Sequence, residues 1–340
     1  MQDSLHEAML FTPLGDDVIK CNLCARRCHI KSGNTGFCRV RKNIDGKLYS
    51  LNYAKAIAAN ADPMEKKPLY HFLPRRTTYS VATIGCNFAC SYCLNWSISQ
   101  EKEIVGRYLP PERVVQEALS HGCSAISYTY TEPTIFFEWA FDISRIAHGK
   151  GLKNTFVTNG YMTPEAVDAI APHLDAATVD FKGNANEEFY RKFAQAPSVE
   201  PIFESLKEMK RKKIHLEITD LIVPKYGDSI EDAKKLAGWI VENLGQETPF
   251  HVLRFHPDYK LLDLPSTPIK SIESIVKVAR DAGLKYVYGG NVPGHLAENT
   301  YCPSCGELLI ERWGFSVIKW NITEDKKCPS CGTSIPIVDK

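Results

Sequence analysis

The 340-residue chain lacks the features that would place it in a special class. No apolar run approaches the ~18 residues of a bilayer-spanning helix, so no membrane association is expected. No charge of one sign prevails: 41 basic side chains face 40 acidic ones, for a formal charge of +1. A general nucleic-acid binder is basic overall, so nucleic acid could be met only through a local patch. The stretch Met1-Gln2-Asp3-Ser4-Leu5-His6-Glu7 carries acid and no apolar segment. No signal peptide is therefore expected, and the chain reads as cytoplasmic. With 44% hydrophobic and 24% charged residues, it has the composition of an ordinary globular protein.

What the chain has in excess is cysteine, twelve in all. In a reducing compartment, clustered cysteines mean metal or catalysis rather than disulfides. Eleven fall into three groups: Cys21, Cys24, Cys28 and Cys38; Cys86, Cys90 and Cys93; and Cys302, Cys305, Cys328 and Cys331. The grouping predicts an N-terminal cysteine-rich module over residues 1–75, a middle domain over 76–295 and a C-terminal metal module over 296–340. Cys123, alone before an apolar strand, reads as a buried inert thiol.

The middle alternates strand and helix patterns. Strands are predicted at Thr78–Ile84, Ser124–Tyr130, Thr155–Val157, Ala176–Phe181, Ile214–Val223, His251–Phe255 and Tyr286–Tyr288. Helices are predicted at Pro110–Ser120, Pro133–Ala147, from Pro164 behind the cap Thr163, and at Ser198–Lys212, Ser229–Asn243 and Pro268–Ala282. Strands separated by helical patterns imply parallel pairing. The fold class is α/β, a partial or near-complete parallel (β/α) barrel. The basic run Lys207, Lys210, Arg211, Lys212 and Lys213 reads as the solvated end of a helix, where cations are favoured anyway.

Cys86, Cys90 and Cys93 stand as C-x3-C-x2-C in the loop after the first strand of this series. Three thiolates leave a four-cysteine site incomplete. A [4Fe–4S] cluster held by three keeps one iron open for another ligand, and an open position marks a reactive metal site. The alternative is zinc with a distant fourth ligand such as His71.

This loop resembles that of the radical S-adenosylmethionine (SAM) superfamily, and the resemblance runs through the whole middle domain. It implies that Cys86, Cys90 and Cys93 ligate the cluster, whose free iron chelates SAM. It also implies that one electron entering the sulfonium releases methionine and a 5′-deoxyadenosyl radical. Tyr92 would pack near the adenine. Within Thr129-Tyr130-Thr131-Glu132-Pro133, Thr131 and Glu132 would bind SAM, with Glu132 on the ammonium. The alternative for Glu132 is a helix N-terminal acid. Thr158-Asn159-Gly160 and Asp180-Phe181-Lys182 end successive strands, where barrel enzymes place their sites. These motifs resemble the pyruvate formate-lyase activating enzyme branch. There Thr158 and Asn159 belong to the SAM site, Lys182 faces the SAM carboxylate, Asp180 lies in the SAM and cation region, and His256 contacts SAM. Val157 and Thr219 depart from that branch; Arg254 would supply the charge missing at Thr219, or be a surface ion-pair residue.

Over nearly the whole chain the sequence is similar to AmmeMemoRadiSam-system radical SAM proteins. The similarity rests on Cys21-Asn22-Leu23-Cys24-Ala25-Arg26-Arg27-Cys28, Gly36-Phe37-Cys38-Arg39-Val40-Arg41, Gln100 and Tyr288-Gly289-Gly290-Asn291. These sub-branch motifs imply no substrate; the activating-enzyme motifs point to a glycyl-radical protein, and the two extra metal modules to another protein, an RNA or a small molecule. The implied electron donor is a flavodoxin or ferredoxin. A metal-rich RNA- or partner-binding protein is the non-enzymatic alternative.

The two C-terminal pairs, Cys302-Pro303-Ser304-Cys305-Gly306 and Cys328-Pro329-Ser330-Cys331-Gly332, give closed S4 coordination around a hairpin turning at Trp313-Gly314. A zinc ribbon is expected, with rubredoxin-like iron of the same geometry as the alternative. The N-terminal group, C-x2-C-x3-C-x9-C, is less regular. Zinc is the first expectation there, an auxiliary iron–sulfur cluster the second, and unligated thiols the third.

Overall fold

The computed structural model describes residues 5–339, so residues 1–4 of the acidic opening stretch lie outside the described residues. Two compact units form, each from separate stretches of chain. The first holds the residues up to Asp62, Thr77–Ala177 and Phe193–Ile214; the second holds Pro63–Arg76, Thr178–Lys192 and the chain from His215.

The first unit opens with short antiparallel strands that the sequence reading had not resolved. Strands β1 (Phe11–Gly15), β2 (Val18–Cys21) and β3 (His29–Lys31) pair in succession. Strands β4 (Arg41–Ile44) and β5 (Lys47–Ser50) form a hairpin. Its turn is Asp45-Gly46, both at positive φ, the type I′ geometry that matches strand twist. Three parallel strands follow: β6 (Thr77–Ala82), β7 (Ala125–Tyr128) and β8 (Lys153–Thr158), with β7 between the other two. The last is twice the predicted length.

Helices α1 (Pro111–Ser120), α2 (Phe137–Gly149), α3 (Pro164–Ile170) and α4 (Glu200–Arg211) complete the unit. The predicted helix from Pro133 begins as a 3₁₀ turn through Phe136. Along α2, Phe137, Ala140, Ile143 and Ala147 are buried, the helical spacing of an inward stripe. Helix α3 starts as expected: the Thr163 hydroxyl accepts from Ala166 N–H and Pro164 follows. The basic end of α4 is paired: Lys207 with Glu204, Arg211 with Glu208 and Lys212 with Asp168. Cys123 is buried.

The second unit contains β9 (Ala176–Lys182) from Thr178 onward, then β10 (His215–Ile222), β11 (Phe250–Arg254) and β12 (Val287–Gly290). Strands β10, β11 and β12 are parallel neighbours in that order. Helix α5 (Ile230–Asn243), capped by Ser229, and helix α6 (Ile269–Asp281) connect them. The C-terminal ribbon is the hairpin of β13 (Leu308–Trp313) and β14 (Ser316–Trp320), turning at Gly314-Phe315, one residue beyond the expected place. Its Leu309, Ile310, Ile322, Ile335 and Ile337 share one core with Tyr70, Tyr286 and Tyr288.

Beneath that core lies Glu217, a fully buried carboxylate. It accepts from the backbone N–H of Tyr70 (2.9 Å), His71 (2.7 Å) and Phe72 (3.2 Å) and bonds the imidazoles of His215 and His251. These partners hold its pKa well below the usual carboxylate range despite burial. His71 is engaged at both ring nitrogens. Nδ1 lies 3.2 Å from the Pro336 carbonyl and so donates to it; Nε2, 2.7 Å from Tyr288 Oη, then accepts. The ring is neutral, and burial pushes its pKa down to about 4. His71 is therefore not free to complete a metal site at the three-cysteine loop, which corrects that alternative.

Between about pH 6.5 and 4 the unfolded chain protonates this histidine while the folded chain does not, so stability falls as pH falls. Over that window His71 is expected to remove roughly 3 kcal/mol. In thermal unfolding as a function of pH, His71→Gln should flatten this slope. An unchanged slope would contradict the buried neutral ring.

Candidate active site and cysteine centres

In the first unit the three parallel strands present their C-terminal ends along one edge, and the predicted residues collect there. From β6, Gly85 leads into the cysteine loop at φ +95°. A Cβ at Gly85 would stand 3.0 Å from the Val40 side chain and 3.1 Å from the Cys38 carbonyl. The left-handed backbone and the close approach both call for glycine. The loop is pinned by Ala89 N–H to Ala194 O (3.0 Å) and Ser91 N–H to Phe193 O (2.8 Å). Phe88 and Tyr92 are buried, while Cys86, Cys90 and Cys93 are half-buried and free of disulfides.

The sulfurs are prepared as acceptors. Phe88 N–H donates to Cys86 Sγ (3.3 Å), and the Ser99 hydroxyl lies 3.3 Å from Cys93 Sγ. Burial, the negative Glu132 and the neighbouring Cys90 push the Cys86 thiol well above its ordinary value. A metal reverses that preference by binding the thiolate. Three thiols on one short loop, with backbone N–H turned toward sulfur, fit a three-thiolate iron–sulfur cluster.

From β7, the Tyr128-to-Pro133 turn brings Thr131 and Glu132 to the same edge. The Thr131 hydroxyl donates to Thr83 O (2.8 Å), and Asn95 Nδ2 donates to Tyr130 O (2.8 Å), so the turn is tied to both ends of the cysteine loop. Glu132 is 1% exposed. Its Oε1 accepts from Thr134 N–H (3.0 Å), the Thr134 hydroxyl (2.6 Å) and the Thr158 hydroxyl (2.7 Å). Its Oε2 accepts from Asn159 N–H alone (2.8 Å). Burial raises the Glu132 pKa and these bonds oppose the rise. The residue does cap the 3₁₀ turn after it, yet Oε2 keeps capacity for one further N–H.

Asn159, just beyond β8, links the carboxylate to the cysteine loop. Its Nδ2 donates to Asn87 Oδ1 at 2.7 Å and lies 4.0 Å from Cys86 Sγ. Asn87 is a functional candidate that sequence reasoning passed over. It is fully buried, its backbone carbonyl accepts from Arg26 Nε, and its Nδ2 has no acceptor among the described residues. Its position directly after Cys86 was the only signal.

The second unit holds the remaining predicted contacts at its own strand ends. Lys182 Nζ pairs with Asp180 Oδ2 at 2.9 Å, and the Thr219 hydroxyl donates to Asp180 Oδ1 at 2.5 Å. Next to Thr219, Asp220 is fully buried and pushed up to about 7 by desolvation. Its Oδ1 accepts from Asn184 N–H (3.1 Å). It too escaped the sequence reading. His256 is exposed beyond β11. Arg254 Nε donates to the Thr267 carbonyl (2.8 Å).

The ribbon cysteines converge. Sγ of Cys302, Cys305, Cys328 and Cys331 all lie within 4.8 Å of one another, and among the described residues this is the one such group. The Cys302–Cys331 and Cys305–Cys328 sulfurs are 3.5 and 3.7 Å apart. Four thiolates on one ion at ~2.3 Å stand about that far apart.

A family model for the radical SAM superfamily matches residues 80–240. Residues 80–240 are a radical SAM domain. The uncharacterized protein MJ0808 of Methanocaldococcus jannaschii is 47% identical over 98% of this chain and 100% of its own length. A second uncharacterized protein of that organism, MJ0674, is 23% identical over 79% of this chain and 76% of its own. Among solved structures, a radical SAM methyltransferase from Sphaerobacter thermophilus aligns with a TM-score of 0.51 at 17% identity, covering 66% of this chain and 70% of that one. Streptococcus suis SuiB bound to S-adenosylmethionine aligns with a TM-score of 0.50 at 12% identity, covering 64% and 51%. At such identities these structures speak for the fold. The superfamily implies a [4Fe–4S] cluster and SAM.

The ribbon geometry generates a direct expectation. Cys328→Ser should lose one equivalent of bound metal by elemental analysis and lower the unfolding temperature, because the ion closes a unit with little core of its own. Full metal retention would contradict a four-thiolate ion site.

Proposed function

We propose that this radical SAM enzyme reductively cleaves SAM to a 5′-deoxyadenosyl radical and uses it to take a hydrogen atom from a glycyl-radical protein. The reading rests on one observation above all: three thiols on a single loop with no fourth, beside a buried carboxylate that keeps one free acceptor position. When bound, the cluster supplies the electron and SAM the bond that it breaks. The chain's own residues bind and orient. Cys86, Cys90 and Cys93 hold the cluster and leave one iron open. Glu132 Oε2 accepts an N–H of the SAM amino group; Asn159 N–H holds that oxygen and the Thr158 hydroxyl holds Oε1. Thr131 ties the turn to Thr83, and Tyr92 lines the adenine side. By resemblance alone, Lys182 would face the SAM carboxylate, Asp180 would lie in the SAM and cation region, and His256 would contact SAM.

The pyruvate formate-lyase activating enzyme branch is favoured by Thr158-Asn159-Gly160 and Asp180-Phe181-Lys182 at strand ends. Within it, the AmmeMemoRadiSam sub-branch is favoured by the N-terminal cysteine motif, Gln100 and Tyr288-Gly289-Gly290-Asn291. A flavodoxin- or ferredoxin-type protein would deliver the electron. A reducing cytoplasm would keep the thiols available.

Anaerobically reconstituted protein, reduced with dithionite, is expected to release 5′-deoxyadenosine from SAM, and Cys90→Ala to release only background. Full activity in that variant would overturn the cluster assignment. Incubation with a candidate glycyl-radical protein should then give a glycyl radical by electron paramagnetic resonance. Deoxyadenosine release without a glycyl radical would move the substrate to another protein, an RNA or a small molecule.

A further inference from the structure

The N-terminal cysteines form a second centre that the radical chemistry does not use. Cys21 ends β2, Cys24 and Cys28 lie on the connection to β3, and Cys38 precedes β4. Cys21, Cys24 and Cys38 are buried and Cys28 is half-buried. All four line one small void together with Arg26, Arg41 and Asn87. The void offers about 10 Å³ to the centre of a water-sized body. Four thiolates gathered on one zinc at ~2.3 Å would leave no such room.

Arg41 gives the independent sign of a ligand. It is 1% exposed. One terminal nitrogen is used, by Glu138 Oε1 at 3.1 Å and by the Met9 carbonyl. Its Nε and its other terminal nitrogen have no partner among the described residues. The guanidinium lines the same void as Cys21, Cys24 and Cys38. Asn87 Nδ2, buried on the same void, also lacks an acceptor. Buried donors without acceptors are costly. Neutral thiols are weak acceptors, whereas thiolates and cluster sulfides accept N–H well.

Spacing separates this group from the ribbon. In the ribbon, every Sγ lies within 4.8 Å of the others; among the described residues the N-terminal group contains no three that meet this limit. A single ion draws its thiolates together. A cluster takes each thiolate on a different iron and keeps them apart.

We propose that Cys21, Cys24, Cys28 and Cys38 hold a second iron–sulfur cluster of the [4Fe–4S] type, with Arg41 and Asn87 as its hydrogen-bond donors. The four-cysteine set closes every iron, so this cluster has no open position and binds no SAM. It stands beside the reactive loop. Arg26, held over the Phe37 ring at 3.4 Å, lines the void with Cys24 and Cys28. Its guanidinium also bonds the Asn87 and Gln195 carbonyls. The assignment stands whether or not the substrate reading above is right.

The test uses the full chain, reconstituted anaerobically with iron and sulfide. The variant Cys86→Ala/Cys90→Ala/Cys93→Ala removes the reactive cluster and leaves the N-terminal group intact. It should retain about four irons and four sulfides per chain and, on reduction, a paramagnetic signal that SAM does not change. Wild type should bind about eight irons. Cys24→Ser/Cys38→Ser should lose about half of the iron and keep the SAM-sensitive signal. Should that variant not fold, the triple alanine variant decides alone. Zinc with no iron in the triple variant, or neither metal, would overturn the proposal. A SAM-insensitive signal in the Cys24→Ser/Cys38→Ser variant would count against the radical SAM site instead, so the two failures are distinct.

Discussion

The Glu132 carboxylate takes four hydrogen bonds in a place that water does not reach, and the catalytic edge of the first unit is built around it. An ionised carboxylate buried alone would cost several kcal/mol. Here the donors come from the turn after β7 and from the end of β8. The bond network continues from Asn159 to Asn87 and so into the cysteine loop. Moving the end of β7 or of β8 therefore breaks a charge-assisted bond. Four bonds to one group fix the edge more firmly than packing alone, since apolar contacts have no direction. The single acceptor position left on Oε2 is what gives this anchor a second use.

The same device appears twice more. Glu138 meets the buried Arg41 and the backbone N–H of Met9, joining α2 to the N-terminal strands. Glu217 collects the backbone of residues 70–72 and two histidines under the ribbon core. In each case a fully buried acid joins segments far apart in sequence. Such pairs contribute little net stability but make the alternatives expensive, because one partner without the other leaves a buried charge.

The alternation of strands and helices was legible because apolar periodicity is a local property, and Thr163 and Ser229 announced their helices through capping chemistry that needs only near neighbours. The cysteine groups were legible because their ligand spacing is local too. The N-terminal hairpins were missed although Asp45-Gly46 carries a strong turn signal; the flanking strands are short and the cysteines drew the reading toward metal. Asn87, Arg26 and Asp220 were not legible. Their roles arise from residues 36 to 169 positions away, brought near only by the fold. Gln100 lies between. The sequence marks it only as part of a family resemblance; the structure shows it accepting from Arg39 while donating to the Phe88 carbonyl, so that it ties the N-terminal strands to the cysteine loop.

On the proposed reading, the three-cysteine loop leaves an iron open beside Glu132, and the amino group of SAM occupies it. Electron–nuclear double resonance on the reduced protein with SAM labelled by ¹⁵N at the amino group measures this directly. A hyperfine coupling between the label and the cluster, present in wild type and absent in Cys90→Ala, is the predicted result. A reduced cluster whose spectrum is indifferent to SAM and shows no coupling to the label would contradict it.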